Sequence, residues 1–421
     1  MRFVFMLTPH NQNLKAHQQR VVLLLFITVV MLTQSLHAQS WTQTDDFPGT
    51  ARDDGAAFGI GQVAYFGTGL EVGWQPTRDF YAYSLAQGWQ SVASLPEGME
   101  RQYACGCAAE GFGYVFGGVG LNNTYFTDLW RYTPDADTWE AMEPLPGPGR
   151  SGMACFAMGG KLYFVGGRFS ANEFTAETWR YDPALAQWEQ VGDYPGGSVW
   201  RMQAGLDGTA GDQAAFVSTG LREDGSFHDD VYAYLEAPDG WSNSLGNLPG
   251  GGRMYASMGR WLGSAVLFAG EDAEGNLLND LWRWNWSGLQ WEAQNPLPDF
   301  PRRGGMMTHL GNQLIYTCGL NPDLERIRDT WSTDISVNTT DDAGSNKPLL
   351  YPNPGSDVLY FNHGPEGLVS ARFFSLDGKL CHAQSPSVTG SIAVGHLPKG
   401  MYIVELRNAR GETWREKWVK Q

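Results

Sequence analysis

Apolar residues alternate with small and polar ones along most of this chain, and the alternation is punctuated at a near-constant interval. An apolar, strand-length run closes on a small residue followed by Gly, and an aromatic stands 12 positions after that Gly: Gly69/Tyr81, Gly118/Trp130, Gly167/Trp179, Gly220/Tyr232, Gly270/Trp282 and Gly319/Trp331. Successive glycines lie 49, 49, 53, 50 and 49 residues apart. A unit of that size cannot bury its apolar face alone and must stack on copies of itself. In the third unit the runs are Arg150-SGMACFAM, a turn at Gly159-Gly160, Lys161-LYFV, Thr178-WRYD and Trp188-EQV. Runs this short, with a turn every 8 to 12 residues, predict a four-stranded antiparallel sheet per unit.

The same pattern predicts how the chain closes. The sixth unit lacks a fourth-strand tryptophan, because nine positions after Trp331 stands Thr340 in a polar stretch. Trp41 precedes Arg52 by 11 residues, the spacing that separates Trp139 from Arg150 and Trp291 from Arg302. The N-terminal strand is therefore expected to complete the last sheet, a closure that leaves no open junction in a ring.

The glycine pair after an apolar strand, then Trp-Arg-Tyr and a further Trp nine residues on, as in Trp130/Trp139, Trp179/Trp188 and Trp282/Trp291, resembles the Kelch repeat. The resemblance extends over all six units, although the pair is reduced to Thr68-Gly69, Thr219-Gly220 and Ala269-Gly270 in three of them. It implies an all-β fold: a six-bladed Kelch β-propeller over residues 39–337, closed by the N-terminal strand.

Two further segments flank this body. Residues 1–38 read as a secretory signal peptide: Arg2, Lys15 and Arg20 precede the 12 apolar residues Val21 to Leu32, too short to span a bilayer, and a cleavage point follows Ala38. Residues 338–348, NTTDDAGSNKP, form a polar linker. Residues 349–421 then alternate in short strands and predict a small antiparallel β-sandwich. Its YPNP at Tyr351 to Pro354, Leu376-Asp-Gly-Lys, Leu397-Pro-Lys-Gly-Met-Tyr and basic last strand with Lys417 and Lys420 resemble the C-terminal type A sorting domain of the type IX (Por) secretion system, found in the Bacteroidetes. That resemblance implies export through the periplasm, with the secretion machinery as a partner of residues 349–421, and a monomer that is secreted or attached to the outer-membrane surface.

Charge and cysteine content narrow the chemistry. Residues 39–338 hold 37 Asp and Glu against 17 Lys and Arg, a net of −20. Such an acidic body argues against nucleic acid or an anionic membrane as a partner. Five cysteines, Cys105, Cys107, Cys155, Cys318 and Cys381, are too sparse for a disulfide framework. They are expected as small core residues, with a bridge between Cys107 and Cys155 left open. The body contains two histidines, His228 and His309, too few for a copper site, and neither a metal nor a cofactor is expected.

Candidate binding residues come from the repeat itself. Arg52, Arg101, Arg150, Arg253 and Arg302 each stand 17 residues before the repeat glycine, and Arg201 stands 19 before its own. Six arginines are expected around one rim of the ring, either paired with the acids Asp79, Asp128, Glu177, Asp230, Asp280 and Asp329 or free to bind a carboxylate. Tyr103, Tyr255, Trp74, Tyr125 and Trp200 are candidate rim aromatics, together with Phe126, Phe169, Phe174 and Phe227; such side chains stack on sugars or anchor peptides. No catalytic residue is assigned. The first expectation is a binding module for a glycan or protein ligand. The alternative is an enzyme acting on a sugar acid, since sialic acid mutarotases are also six-bladed Kelch proteins.

Overall fold

The computed structural model describes residues 39–335 except 210, 238, 286 and 287, and in the C-terminal region residues 350–351, 358–361, 368–375, 379–384, 391–408 and 413–420. The leader, the 338–348 linker and the Asp377-Gly378 turn lie outside the described residues.

Each repeat folds as an antiparallel meander, as in the third: Ala154–Met158, Lys161–Val165, Glu177–Asp182 and Gln187–Asp193, paired in that order. Six such arrays occupy residues 39–335, five of four strands and the fifth blade's of five, where Arg253–Met254 also pairs with the long strand Ser264–Asp272. Their first strands, Ala56–Ile60, Cys105–Ala109, Ala154–Met158, Gln203–Thr209, Ser257–Trp261 and Met306–Leu310, lie innermost. Each contacts the next, and the last contacts the first, so the sheets stand as blades round a common channel. The second strands carry the apolar runs because they are covered on both faces: Phe66, Val115, Phe116, Val165 and Phe216 are wholly buried between blades. Full burial of such a side chain stabilises by about 2–3 kcal/mol.

The sixth blade is completed from the other end of the chain. Gln39–Thr44 pairs antiparallel with Thr330–Ile335, placing Trp41 opposite Thr333. The Trp41 indole Nε1 donates to the Asn295 carbonyl of the fifth blade at 3.1 Å. Trp89, Trp139 and Trp188 make the equivalent bond to the preceding blade, onto Asp45, Ala93 and Glu143 carbonyls at 2.9, 2.7 and 2.8 Å. The fourth-strand tryptophan is thus a blade-to-blade clasp.

The C-terminal region forms two antiparallel sheets, one of Leu350–Tyr351, Val358–Phe361 and Ser391–Ala393, the other of Leu368–Phe374, Leu380–Gln384, Gly400–Asn408 and Thr413–Lys420. Leu359 and Ile392 of the first pack with Phe373, Val404, Leu406 and Trp418 of the second, which makes the pair a sandwich with its own core.

Candidate functional site at the channel mouth

The repeat glycine sets the geometry of the mouth. Its N–H donates to the carbonyl of the residue that opens the next blade: Gly69 to Arg101, Gly118 to Arg150, Gly220 to Arg253, Gly270 to Arg302 and Gly319 to Arg52, at 2.8 to 3.1 Å. A side chain at Gly69 would collide with the Asp53 carbonyl, and φ there is +105°, so glycine is required. At the junction of the third and fourth blades Gly167 donates to Val199, not to Arg201. Val199 therefore occupies the arginine position of the fourth blade.

The five arginines that keep their register are structural. Arg52, Arg101, Arg150, Arg253 and Arg302 are at most 2% exposed, and they pair with Asp79, Asp128, Glu177, Asp280 and Asp329 at 2.6, 2.7, 2.9, 2.8 and 2.7 Å. The strand-three tryptophan donates its Nε1 to the same acid at Asp128, Glu177, Asp280 and Asp329, which explains why an aromatic follows the glycine at a fixed interval. Hydrogen bonding and charge from Arg52 hold Asp79 below the usual carboxylate range despite its burial. In the fourth blade Asp230 takes its partner from a different strand: Arg222 Nη2, at 3.0 Å. Arg222 also donates to His228 Nδ1 at 2.8 Å, and His228 Nε2 meets the Tyr194 hydroxyl at 2.8 Å. The expected pairing of Arg201 with Asp230 is corrected by this geometry, as is the expected ring of six equivalent arginines.

Arg201 stands instead in an inner ring at the channel mouth. The residues two beyond each blade-opening position are Asp54, Tyr103, Gly152, Arg201, Tyr255 and Gly304, and all six have positive φ, from 54° to 68°. Backbone bonds join neighbours in this ring: Tyr103 N to Asp54 O, Gly152 N to Tyr103 O, Arg201 N to Gly152 O, Gly304 N to Tyr255 O and Asp54 N to Gly304 O, at 2.7 to 3.0 Å. Left-handed backbone at a bulky residue is strained, and its repetition at one ring aims these side chains together. The two glycines leave room: a Cβ at Gly304 would lie 2.9 Å from Asp54 Oδ1, and one at Gly152 would lie 2.4 Å from the Trp200 ring. A cavity of about 130 Å³ runs from this ring into the channel, lined also by Cys105, Cys155, Gln203, Ser257 and Met307.

Arg201 is 8% exposed, and among the described residues no carboxylate is bonded to it. Its Nη2 donates to the Tyr103 hydroxyl at 2.6 Å, while Nε and Nη1 have no hydrogen-bond partner among the described residues. The guanidinium is held by aromatic faces, 3.5 Å from the Tyr255 centroid, 4.0 Å from Trp200 and 4.5 Å from Tyr103. Arg168 covers the Trp200 ring at 3.3 Å, and Arg303 covers Tyr255 at 4.0 Å while pairing with Glu271 at 2.8 Å. Three guanidiniums and two aromatics are thereby stacked in alternation across four blades, an arrangement that fixes arginine without spending its donors.

Two carboxylates face this stack. Burial, and then the neighbouring Asp53 charge, push the Asp54 carboxyl up to about 7, against the opposing pull of Arg201 and a hydrogen bond from Tyr103. Burial also raises Asp53, opposed by Arg326, whose Nε donates to Asp53 Oδ1 at 2.7 Å. Burial raises the Tyr103 phenol, so it stays protonated, able to donate to Asp54 while accepting from Arg201. The cluster thus joins a guanidinium with unused donors to a carboxyl poised to gain or lose a proton near neutrality.

The expected aromatics divide. Tyr103, Tyr255 and Trp200 belong to the mouth. Tyr125 lies beside it, close to Arg168. Trp74 is 77% exposed on a turn, its ring 5.6 Å from the Arg326 guanidinium. Phe126 and Phe169 lie over the structural arginines Arg101 and Arg150 at 4.0 and 4.9 Å, so they cover blade junctions. Phe174 neighbours Trp200 at 6.2 Å, and Phe227 packs over Gly252. Asp53, Asp54, Arg168, Arg303 and Arg326 escaped the sequence reading. Asp54 was findable, since it shares with Tyr103 and Tyr255 the place two residues after a repeat arginine. Among the described residues no cluster of three or more His, Cys, Asp or Glu could hold a metal ion, and no helix is long and apolar enough to cross a membrane.

Comparison with known proteins agrees with this architecture. A Kelch motif matches residues 149–193, and a secretion system C-terminal sorting domain matches residues 349–421. The N-acetylneuraminate epimerase of Haemophilus influenzae (strain PittEE) is 25% identical over 288 residues, 66% of this chain and 68% of that protein. Proteins of the same name from Shigella sonnei (strain Ss046) and Yersinia enterocolitica (serotype O:8 / biotype 1B, strain NCTC 13174 / 8081) are each 33% identical, over 79 and 81 residues. The match spans about a fifth of the length of those two relatives, 21% and 20%. The solved structure of YjhT aligns with a TM-score of 0.57 at 18% identity, covering 68% of this chain and 95% of that one, which shows a shared fold. The chain is a Kelch-motif propeller carrying a C-terminal secretion sorting domain, the mark of a secreted or cell-surface protein.

Proposed function

We propose that this Kelch-motif propeller with its sorting domain binds a sugar acid of the N-acetylneuraminate type at the channel mouth and interconverts its anomers outside the cytoplasm. The observation that carries the reading is Arg201, the blade-four arginine displaced from its structural register and left without a carboxylate, beside an Asp54 carboxyl raised to about 7. The relatives' name supplies the substrate class. The residues supply a means of handling it.

A guanidinium with two unused donors suits the bidentate geometry of a carboxylate, and Arg168 and Arg303 add positive potential on either side. Anomer exchange of a cyclic hemiketal requires a proton to leave the anomeric hydroxyl and another to reach the ring oxygen; closure on the opposite face reverses both transfers. A carboxyl titrating near 7 can take the first proton and return it at neutral pH, within the 10²–10⁴-fold range of general acid–base catalysis. Asp54 is assigned that role. Tyr103, donating to Asp54 and accepting from Arg201, couples the proton-transfer group to the anion-binding group and orients both. Residues 349–421 would deliver the propeller through the type IX machinery.

The test is NMR of anomer equilibration with pure α- or β-N-acetylneuraminate. The wild-type protein should shorten equilibration relative to buffer. Asp54→Asn should bind without acceleration, and Arg201→Ala should do neither. Binding by wild type without acceleration would return the propeller to the reading of a binding module, and no binding would overturn both.

A further inference from the structure

Three cysteines meet in the wall of the channel, directly below the mouth. Cys105 and Cys107 stand on Cys105–Ala109, the inner strand of the second blade, two residues apart and so on one face. Cys155 stands on Ala154–Met158, the inner strand of the third blade. The two strands are in contact, and the three side chains belong to one packed cluster with Tyr114, Phe116, Leu162 and Phe164. Cys155 packs in one cluster with Cys105 and Cys107 across the junction, close enough for their thiols to interact. The thiols are free in this structure, with Cys107 buried and Cys105 and Cys155 also lining the cavity.

Thiols packed together across two blades, on strands in direct contact, supply the proximity that a disulfide needs, since such a bond tolerates little strand movement. A chain with a secretion sorting domain leaves the compartment that keeps thiols reduced. We propose that Cys155 and Cys107 form an inter-blade disulfide in the exported protein, with Cys105 left as a free thiol facing the cavity. The step is thiol–disulfide exchange. One cysteine thiolate attacks an oxidant disulfide, the second displaces the mixed disulfide, and the oxidant leaves as two thiols carrying the two electrons and two protons. Burial beside another thiol raises both Cys107 and Cys155, so exchange is slow once the blades have closed and belongs to folding in the oxidising compartment.

The bridge would lie just beneath the site. Tyr103 is two residues before Cys105 and Gly152 three before Cys155, and Gly152 N donates to Tyr103 O at 2.9 Å. A covalent tie there fixes the blade that carries Tyr103 to the blade whose Gly152 carbonyl accepts from Arg201 N. Its loop spans about 50 residues, long enough for a clear gain in stability.

The experiment uses the full chain without its leader, refolded with oxidised glutathione, alkylated without reductant and digested. The expected result is a cross-linked peptide pair joining Cys155 to the Cys105/Cys107 segment in wild type and in Cys105→Ser, absent from Cys155→Ser. Reduction should lower Tm by several degrees in wild type and leave Cys155→Ser unmoved. Quantitative alkylation of Cys155 after oxidative refolding would overturn the proposal, and so would loss of the linked pair in Cys105→Ser, which would place the bond at Cys105.

Discussion

Arg201 Nη2 donates to the Tyr103 hydroxyl at 2.6 Å across 98 positions of sequence, joining the fourth blade to the second over the channel mouth. Arg201 is the one guanidinium among the six inner-ring positions: where the repeat needs a buried arginine it uses Arg52, Arg101, Arg150, Arg253 and Arg302, each tied to its own acid. The contact is therefore a property of the mouth, and it separates arginines that hold the ring together from Arg201, to which no carboxylate bonds among the described residues.

That separation predicts unequal stability effects. Arg101→Ala strands the half-buried Asp128 and removes a bidentate pair whose guanidinium is fully buried, and it should cost about 3 kcal/mol in denaturant unfolding. Arg201→Ala removes a desolvated charge that no carboxylate bonds, and it should change stability by no more than about 1 kcal/mol. Equal losses in the two variants would assign Arg201 to the scaffold.

Asp54 should reveal itself in the pH profile. Because its carboxyl is raised to about 7, anomer exchange that uses the carboxylate as base should rise with pH through that value. The linkage has a fixed sign: the folded state binds a proton that the unfolded chain has already released, so Asp54 lowers stability as pH climbs from about 4 to about 7. Asp54→Asn should abolish the exchange profile and raise neutral-pH stability, on the order of 1–3 kcal/mol. A profile unchanged in Asp54→Asn would remove it from the chemistry.

Tyr103→Phe keeps the ring and deletes the hydroxyl that joins Arg201 to Asp54. The expected outcome is a lower kcat with a smaller change in KM, together with a shift in the pH midpoint assigned to Asp54. A change in KM alone would make Tyr103 a packing residue for Arg201.

How much of this could be read from sequence follows from what repeats and what does not. The period, the glycine spacing and the displaced Trp41 were legible because backbone closure demands the same residue at the same place in each blade. The six arginines looked equivalent for the same reason, since residue type was matched while register was not. Arg201 stood 19 residues before its glycine where the others stood 17, and that irregularity marked the break: Val199 had taken the structural place. Arg168, Arg303 and Arg326 were not legible, because they reach the mouth through loop and register choices made separately in single blades.

The fourth blade's substitute network should be acid-sensitive. His228 is wholly buried, and burial first, then the adjacent Arg222 charge, lower it to about 4 against the favourable charges of Asp230 and Asp229. Below about 6.5 the unfolded chain takes up a proton that the folded ring refuses, so stability falls as pH drops toward 4, by about 2–3 kcal/mol. Urea midpoints between pH 7 and 4 should fall less in His228→Gln than in wild type; parallel curves would contradict the placement of a neutral imidazole between Arg222 and Tyr194.

The most direct measurement is calorimetric titration of the sugar acid into wild type, Arg201→Ala and Arg201→Lys at neutral pH. Wild type should bind, Arg201→Ala should weaken binding by at least about tenfold, and Arg201→Lys should recover only part of it, since a point charge cannot reproduce a bidentate fork. Binding of equal strength in all three would contradict a mouth built around the displaced arginine.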